Sequence, residues 1–294
     1  MRNRHSLATI LTACAVSLIA VGSAAAAPRV GTFQKRAPSP KPVNNLVVDP
    51  STNMIYAQQY NGTAFYRYDP KTNKWTKLAK SPIPQGDNGG AAYLDGKIYT
   101  AYTEDGTVMG VYDIATGKWS LTANPLEFDG TGDITAVGKL LYLVEYKTLV
   151  SYNPATHKRR RLADPPFDFS PWGGLAPYKG MIYGDSGDGS GDFGAYDIAT
   201  NTWTELPGVP DGAVLGAAID PVTGTFYTYG DYHGDNFYRY DIATGAWLST
   251  LTFPYTNLND GGMAYVSAEG LQGIYATYGQ GSKGFTRYVT KPHH

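Results

Sequence analysis

Tyr240-Asp241-Ile242-Ala243-Thr244-Gly245-Ala246-Trp247 is a phrase this chain writes again and again. It recurs from Tyr112 to Trp119 and from Tyr196 to Trp203, in a proline form from Tyr68 to Trp75, and in a worn form from Tyr152 to Arg159. The five tyrosines fall 44, 40, 44 and 44 residues apart. A strand-rich unit repeating at roughly 40–50 residues is the signature of propeller blades. The Asp-x-x-Thr-Gly segments are turns, in which the aspartates cap their own backbone.

A second marker raises the count. An apolar-Tyr pair opens each unit at Ile55-Tyr56, Ile98-Tyr99, Leu141-Tyr142, Ile182-Tyr183, Phe226-Tyr227 and Ile274-Tyr275, which makes six copies. Turns such as Leu94-Asp95-Gly96-Lys97 precede the pairs, and small-residue strands such as Gly90-Ala91-Ala92-Tyr93 precede the turns. Small residues suit the innermost strand, where blades converge on an axis. One unit is therefore four strands, A to D, with no helical periodicity in between.

The sixth unit stops six residues after Tyr288, too soon for a strand D. In most units a proline follows the Trp position by seven, and Phe33 is followed by Pro40 at that same spacing. Residues 32–40 are thus predicted to supply the missing strand, closing the ring and removing its exposed edges. The expected fold is an all-β, six-bladed β-propeller completed by an N-terminal strand.

Residues 1–26 read as a secretory signal: Arg2 and Arg4, an apolar Leu7 to Val21 stretch, then Ala24-Ala25-Ala26. Residues 27–294 are expected to form the propeller, secreted or periplasmic; the short apolar stretch before Cys14 argues against a lipoprotein anchor. Cys14 is the only cysteine, so the mature chain has no disulfide, thiolate metal site or cysteine nucleophile. No later stretch reaches the roughly 18 apolar residues of a membrane span. With 24 basic and 25 acidic residues, nothing in the net charge calls for nucleic acid as a partner. A monomer is expected.

The repeat resembles the Kelch motif: a Gly-Ala inner strand, an Ile-Tyr strand, a Tyr-Asp-x-x-Thr-x-x-Trp unit and a proline-bearing tail. The match covers nearly the whole mature chain. It departs from the pattern after the Ile-Tyr strand, where the diglycine is replaced by Ala101-Tyr102, Val144-Glu145 and Gly184-Asp185. The arginine common before strand A is also replaced, by Asp or Asn. The resemblance implies the architecture and transfers no active-site residue. Kelch proteins include binding scaffolds, a copper oxidase and sugar mutarotases, and the fold does not choose among them.

In such blades the D-to-A and B-to-C loops surround the channel mouth. Here they mix carboxylates and amides with aromatics, a set suited to hydroxyls and to the apolar faces of sugar rings. Tyr60, Asp87, Asn88, Tyr102, Glu104, Trp172, Tyr232, Asn259 and Asp260 are the expected ligand contacts. A small-molecule or glycan ligand, neutral in charge, is the first reading.

The second is a lactonase, hydrolase or sugar-mutarotase-type enzyme at the same mouth. A divalent cation such as calcium would be held by some of Glu104, Asp129, Asp133, Glu145, Asp185 and Asp231, with His233 as the candidate catalytic base. A protein-binding scaffold is the third. Lys158-Arg159-Arg160-Arg161, where Trp is expected in blade three, reads as edge protection on an outer strand or as an anion-facing surface.

Overall fold

Each repeat folds into one antiparallel sheet, because its alternating apolar residues must be buried on both faces between neighbouring sheets. The computed structural model describes residues 29–85, 90–101, 107–126, 133–170, 172–212, 215–230, 235–255, 261–279 and 281–291. Their regular elements are strands, grouped into six sheets. Blade one runs outward as Val43–Asp49, Met54–Gln59, Phe65–Asp69 and Lys74–Lys77. The innermost strands of the other blades are Ala91–Leu94, Asp133–Val137, Leu175–Tyr178, Leu215–Asp220 and Met263–Val266. Each innermost strand touches the next, and the last touches the first, so the six form a closed ring around an axis. The chain is a six-bladed β-propeller.

Repeated side chains hold the blades to one another. The apolar-Tyr pairs are buried: Tyr56 and Phe65 of one blade pack on Ile98 and Tyr112 of the next. Trp75, Trp119, Trp203 and Trp247 each donate their indole N–H to a carbonyl about one repeat earlier, at Ala37, Ala79, Ala163 and Pro207 over 2.8–3.1 Å. In the worn repeat Arg159 stands in, donating from Nη1 to the Pro125 carbonyl at 2.7 Å.

The turn five residues past each tyrosine needs a left-handed backbone, supplied by Asn73, Gly117, His157, Asn201 and Gly245. Asn73 and Asn201 also accept the hydroxyl of their tyrosine, and His157 Nδ1 meets that of Tyr152 at 2.9 Å. Backbone N–H groups in the same turns donate to Asp113, Asp197 and Asp241 as expected of turn caps.

The ring closes where the sequence places it. Phe33–Lys35 pairs antiparallel with Phe285–Val289, Phe33 opposite Tyr288. Further backbone bonds, from Gly31 N to Val289 O and from Ser39 N to Lys283 O, extend the contact beyond that short strand. The Phe33 ring lies 5.1–5.3 Å, centroid to centroid, from Phe237, Phe253 and Tyr288. Residues 1–26, read from the sequence as a secretory signal, lie outside the described residues.

Candidate functional site at the channel mouth

The innermost strands begin at the rim of the axial channel, and their first residues decide what faces it. Counting two residues back from the partner of each second-strand tyrosine gives Asn45, Gly90, Asp133, Gly174, Gly216 and Gly262, one per blade, with Asn45 and Gly216 lying in bulges. Glycine recurs because the next blade comes close. A Cβ on Gly174 would stand 2.5 Å from Ala217 N, and one on Gly262 would stand 2.6 Å from Asn45 N and Leu46 N. Blades one and three break this ring of glycines.

Asp133 replaces the close approach with hydrogen bonds. Its Oδ2 accepts from Leu175 N of the next blade at 2.6 Å and its Oδ1 from Ile134 N at 2.8 Å. Removal from water pushes its pKa up to about 7, more than those two N–H donors pull it down. Asn45 fits because the strand bulges between Asn44 and Val47, leaving Asn45 at a φ of 51°.

Asp185, fully buried in the second strand of blade four, accepts from Gly174 N at 3.2 Å. Thr277 does the same work in blade six, taking Gly262 N at 2.9 Å. Asp185 differs in keeping a second oxygen. Thr228 is close to it, but the Thr228 hydroxyl points to the Gly216 carbonyl at 2.9 Å, so Oδ2 is left without a donor. Burial, and then the charge of Asp133, hold the Asp185 carboxyl well above the usual range.

These residues surround an axial cavity of about 370 Å³ lined by Asn44, Asn45, Asp133, Trp172 and the innermost strands. Asn44 is 1% exposed, and its Oδ1 meets no donor. Asn45 Nδ2 and Trp172 Nε1 are likewise buried without an acceptor among the described residues. Among the described residues no lysine, arginine or histidine lines the cavity. Trp172, in the loop entering blade four, packs against the buried cluster of blades five and six that includes Tyr229, Phe253 and Met263. Tyr146, 61% exposed and at a φ of 47°, pairs backbone to backbone with Phe169.

Of the expected contacts, Trp172 therefore lies in the cavity wall. Tyr60 sits half-buried in a blade-one loop, its N–H bonded to Pro42 O at 3.0 Å, away from that wall. Asp87, Asn88, Tyr102, Glu104, Tyr232, Asn259 and Asp260 lie outside the described residues, as do His233, Asp129 and Asp231.

Among the suggested metal ligands, Asp133 and Asp185 come together, while Glu145 is buried one position before Tyr146. Among the described residues no three carboxylates or histidines converge on a point that could hold a metal. Asn44 and Asn45 were not expected as site residues. The signal for Asn45 was its departure from the repeat's glycine, and Asp133 departs at the same place.

No family model matches the chain. A Kelch-like protein, terF, of Aspergillus terreus is 26% identical over 257 residues, covering 67% of this chain and 55% of that protein. The chain thus spans about half the length of the curated relative it matches. Among solved structures, YjhT superposes with a TM-score of 0.67 at 15% identity, covering 86% of this chain and 95% of that one. The likeness to YjhT is one of fold.

Proposed function

We propose that this chain, a Kelch-like six-bladed propeller, is an exported protein that binds a small, neutral, polyhydroxylated ligand in the axial cavity. One observation carries the reading: Asn44 Oδ1, Asn45 Nδ2, Trp172 Nε1 and Asp185 Oδ2 are buried polar atoms without partners, and the first three belong to residues of the cavity wall. Each costs about 1–3 kcal/mol if nothing meets it, and a hydroxyl can meet both acceptors and donors. The volume of about 370 Å³ is at the small end of ligand pockets, about 300–1,000 Å³, which favours one or two sugar units over a polymer. Among the described residues the wall carries one carboxyl, Asp133, and no lysine, arginine or histidine, so it offers an anionic ligand no countercharge.

The test is calorimetric or fluorescence titration with a panel of neutral mono- and disaccharides, reading the emission of Trp172. Asn44→Ala should weaken binding about tenfold or more by removing one buried partner. If no neutral sugar or polyol binds at millimolar concentration, the reading fails.

A second reading, proton exchange on the bound ligand, is favoured by one observation, the adjacent Asp133 and Asp185. A group with a pKa near 7 is matched to proton transfer at neutral pH. An accelerated anomerisation rate that is lost in Asp133→Asn would select it.

A further inference from the structure

The worn third repeat changes charge on the outside of the ring as well as shape on the inside. Two departures act together there. Asn153 stands where Asp69, Asp113, Asp197 and Asp241 stand in other blades, and Arg159 stands where they carry tryptophan. In blades one and two the lysine opening the outer strand lies opposite an aspartate, Lys74 facing Asp69 and Lys118 facing Asp113. In blade three Lys158 faces the neutral Asn153.

The outer strand Lys158–Arg161 is exposed along its whole length. Arg159 is committed to the Pro125 carbonyl and Arg161 to Asp164 at 2.8 Å. Lys158 and Arg160 alternate with them on the other side and pair with no carboxylate among the described residues. Blades one and two add exposed Lys77, opposite Tyr66, while their exposed Lys74 and Lys118 lie opposite their aspartates. Across the ring, Thr202–Leu206 carries only Glu205, Ala246–Trp247 and Leu251–Thr252 carry no charge, and Phe33–Lys35 of blade six carries a single lysine, Lys35. The outer strands of blades four and five are protected without cations, so edge protection alone does not account for the run of cations on blades one to three.

We propose that the basic outer wall of blades one to three, centred on Lys158 and Arg160, binds a flexible anionic polysaccharide. Three consecutive outer strands follow a convex perimeter. A flat bilayer touches such a wall along one blade, whereas a flexible chain can follow it across three. Single-stranded nucleic acid would also bend, but it takes its affinity from bases stacked on exposed aromatic rings. The tryptophans of this wall, Trp75 and Trp119, are half-buried and spend their N–H groups on the neighbouring blade. This surface is separate from the axial cavity, whose described wall carries no cation.

The experiment titrates the intact mature protein with fluorescent heparin oligosaccharides by anisotropy at about 50 and 200 mM salt. Oligo-dT of matched charge and vesicles of about 30% anionic lipid run as parallel arms. The oligosaccharide should bind at low salt and lose affinity about tenfold or more at high salt, since exposed charges are screened beyond roughly 10 Å. Lys158→Glu with Arg160→Glu should cost about tenfold or more, while Lys179→Glu with Lys291→Glu on the other half should change binding less than about twofold. Both pairs are solvent-exposed, and unchanged melting curves would establish that each double variant is folded. No binding at low salt, equal losses in the two double variants, or tighter binding to oligo-dT or vesicles would each overturn the proposal.

Discussion

Asp133 takes a position that four other blades give to glycine, and its carboxyl is held at about 7 against an ordinary 3.8 because it is withdrawn from water. Asp185 is displaced the same way. A carboxyl whose pKa is raised by folding binds its proton more tightly in the folded than in the unfolded chain. Stability therefore rises as pH falls from about 7 toward about 4, and the penalty is complete above 7. The expected gain between pH 8 and pH 5 is on the order of 2 kcal/mol once water in the cavity is allowed for. Urea midpoints across that range would measure it. Asp133→Asn should flatten the profile, and an unchanged slope would mean that Asp133 is ionised throughout.

Side-chain roles at this scale were partly legible in the sequence. His157 and Arg159 looked like decay of the phrase, yet each performs its repeat's task with different atoms, the Tyr152 partner and the inter-blade donor. A repeat read only as letters hides that equivalence. Asn45 and Asp133 were visible as departures from glycine, but their meaning depended on knowing that the position faces the axis.

Among the strands, the closing one has the least local support. Phe33–Lys35 has three residues, and its partner lies some 250 residues away, so only the spacing of Phe33 to Pro40 betrayed it. Once in place it puts the Phe33 ring among Phe237, Phe253 and Tyr288, and Arg36 reaches the Tyr68 hydroxyl at 2.9 Å and the Pro70 carbonyl at 2.8 Å. Phe33→Ala should cost about 2 kcal/mol from lost burial. Removing the chain up to Pro42 should cost several times more and leave the Phe285–Val289 edge open to self-association. Thermal melts and light scattering would read both. A truncated protein that melts unchanged as a monomer would show that the strand adds nothing.

Bulges were beyond the sequence pattern. The innermost strands of blades one and five shift register between Asn44 and Val47 and between Leu215 and Ala218. The outer strand of blade five is split into Ala246–Trp247 and Leu251–Thr252. An extra residue in a strand leaves the alternation of apolar side chains almost intact, so only the pairing reveals it.

On the scale of the ring, six near-equivalent blades make the place of closure a matter of chain connectivity rather than of energetics. Val289 and Gly31 are hydrogen-bonded neighbours, standing where the other blades have a turn between their third and fourth strands. A short turn of the Asp-x-x-Thr-Gly kind could join them, with new termini opened in the equivalent turn of blade two, between Thr116 and Gly117. Lys118–Ala123 would then become the N-terminal strand, held by its pairing with Val108–Asp113 and by the Trp119 bond to Ala79 O at 3.0 Å. Such a permutant keeps every sheet, every inter-blade indole bond and the axial cavity, and gives up the turn contacts of Asp113 with Thr116 and Gly117 and, at the new junction, the bond from Thr32 to the Arg29 carbonyl. Lost surface contacts of that kind are worth about 1 kcal/mol, or about 2–4 °C in melting temperature for a domain of this size. The permutant should therefore keep the oligomeric state of the parent, melt within a few degrees of it and match it in titrations with neutral sugars. A large loss of stability would mean that closure through Phe33 contributes something the other outer strands cannot, and that the blades are not interchangeable.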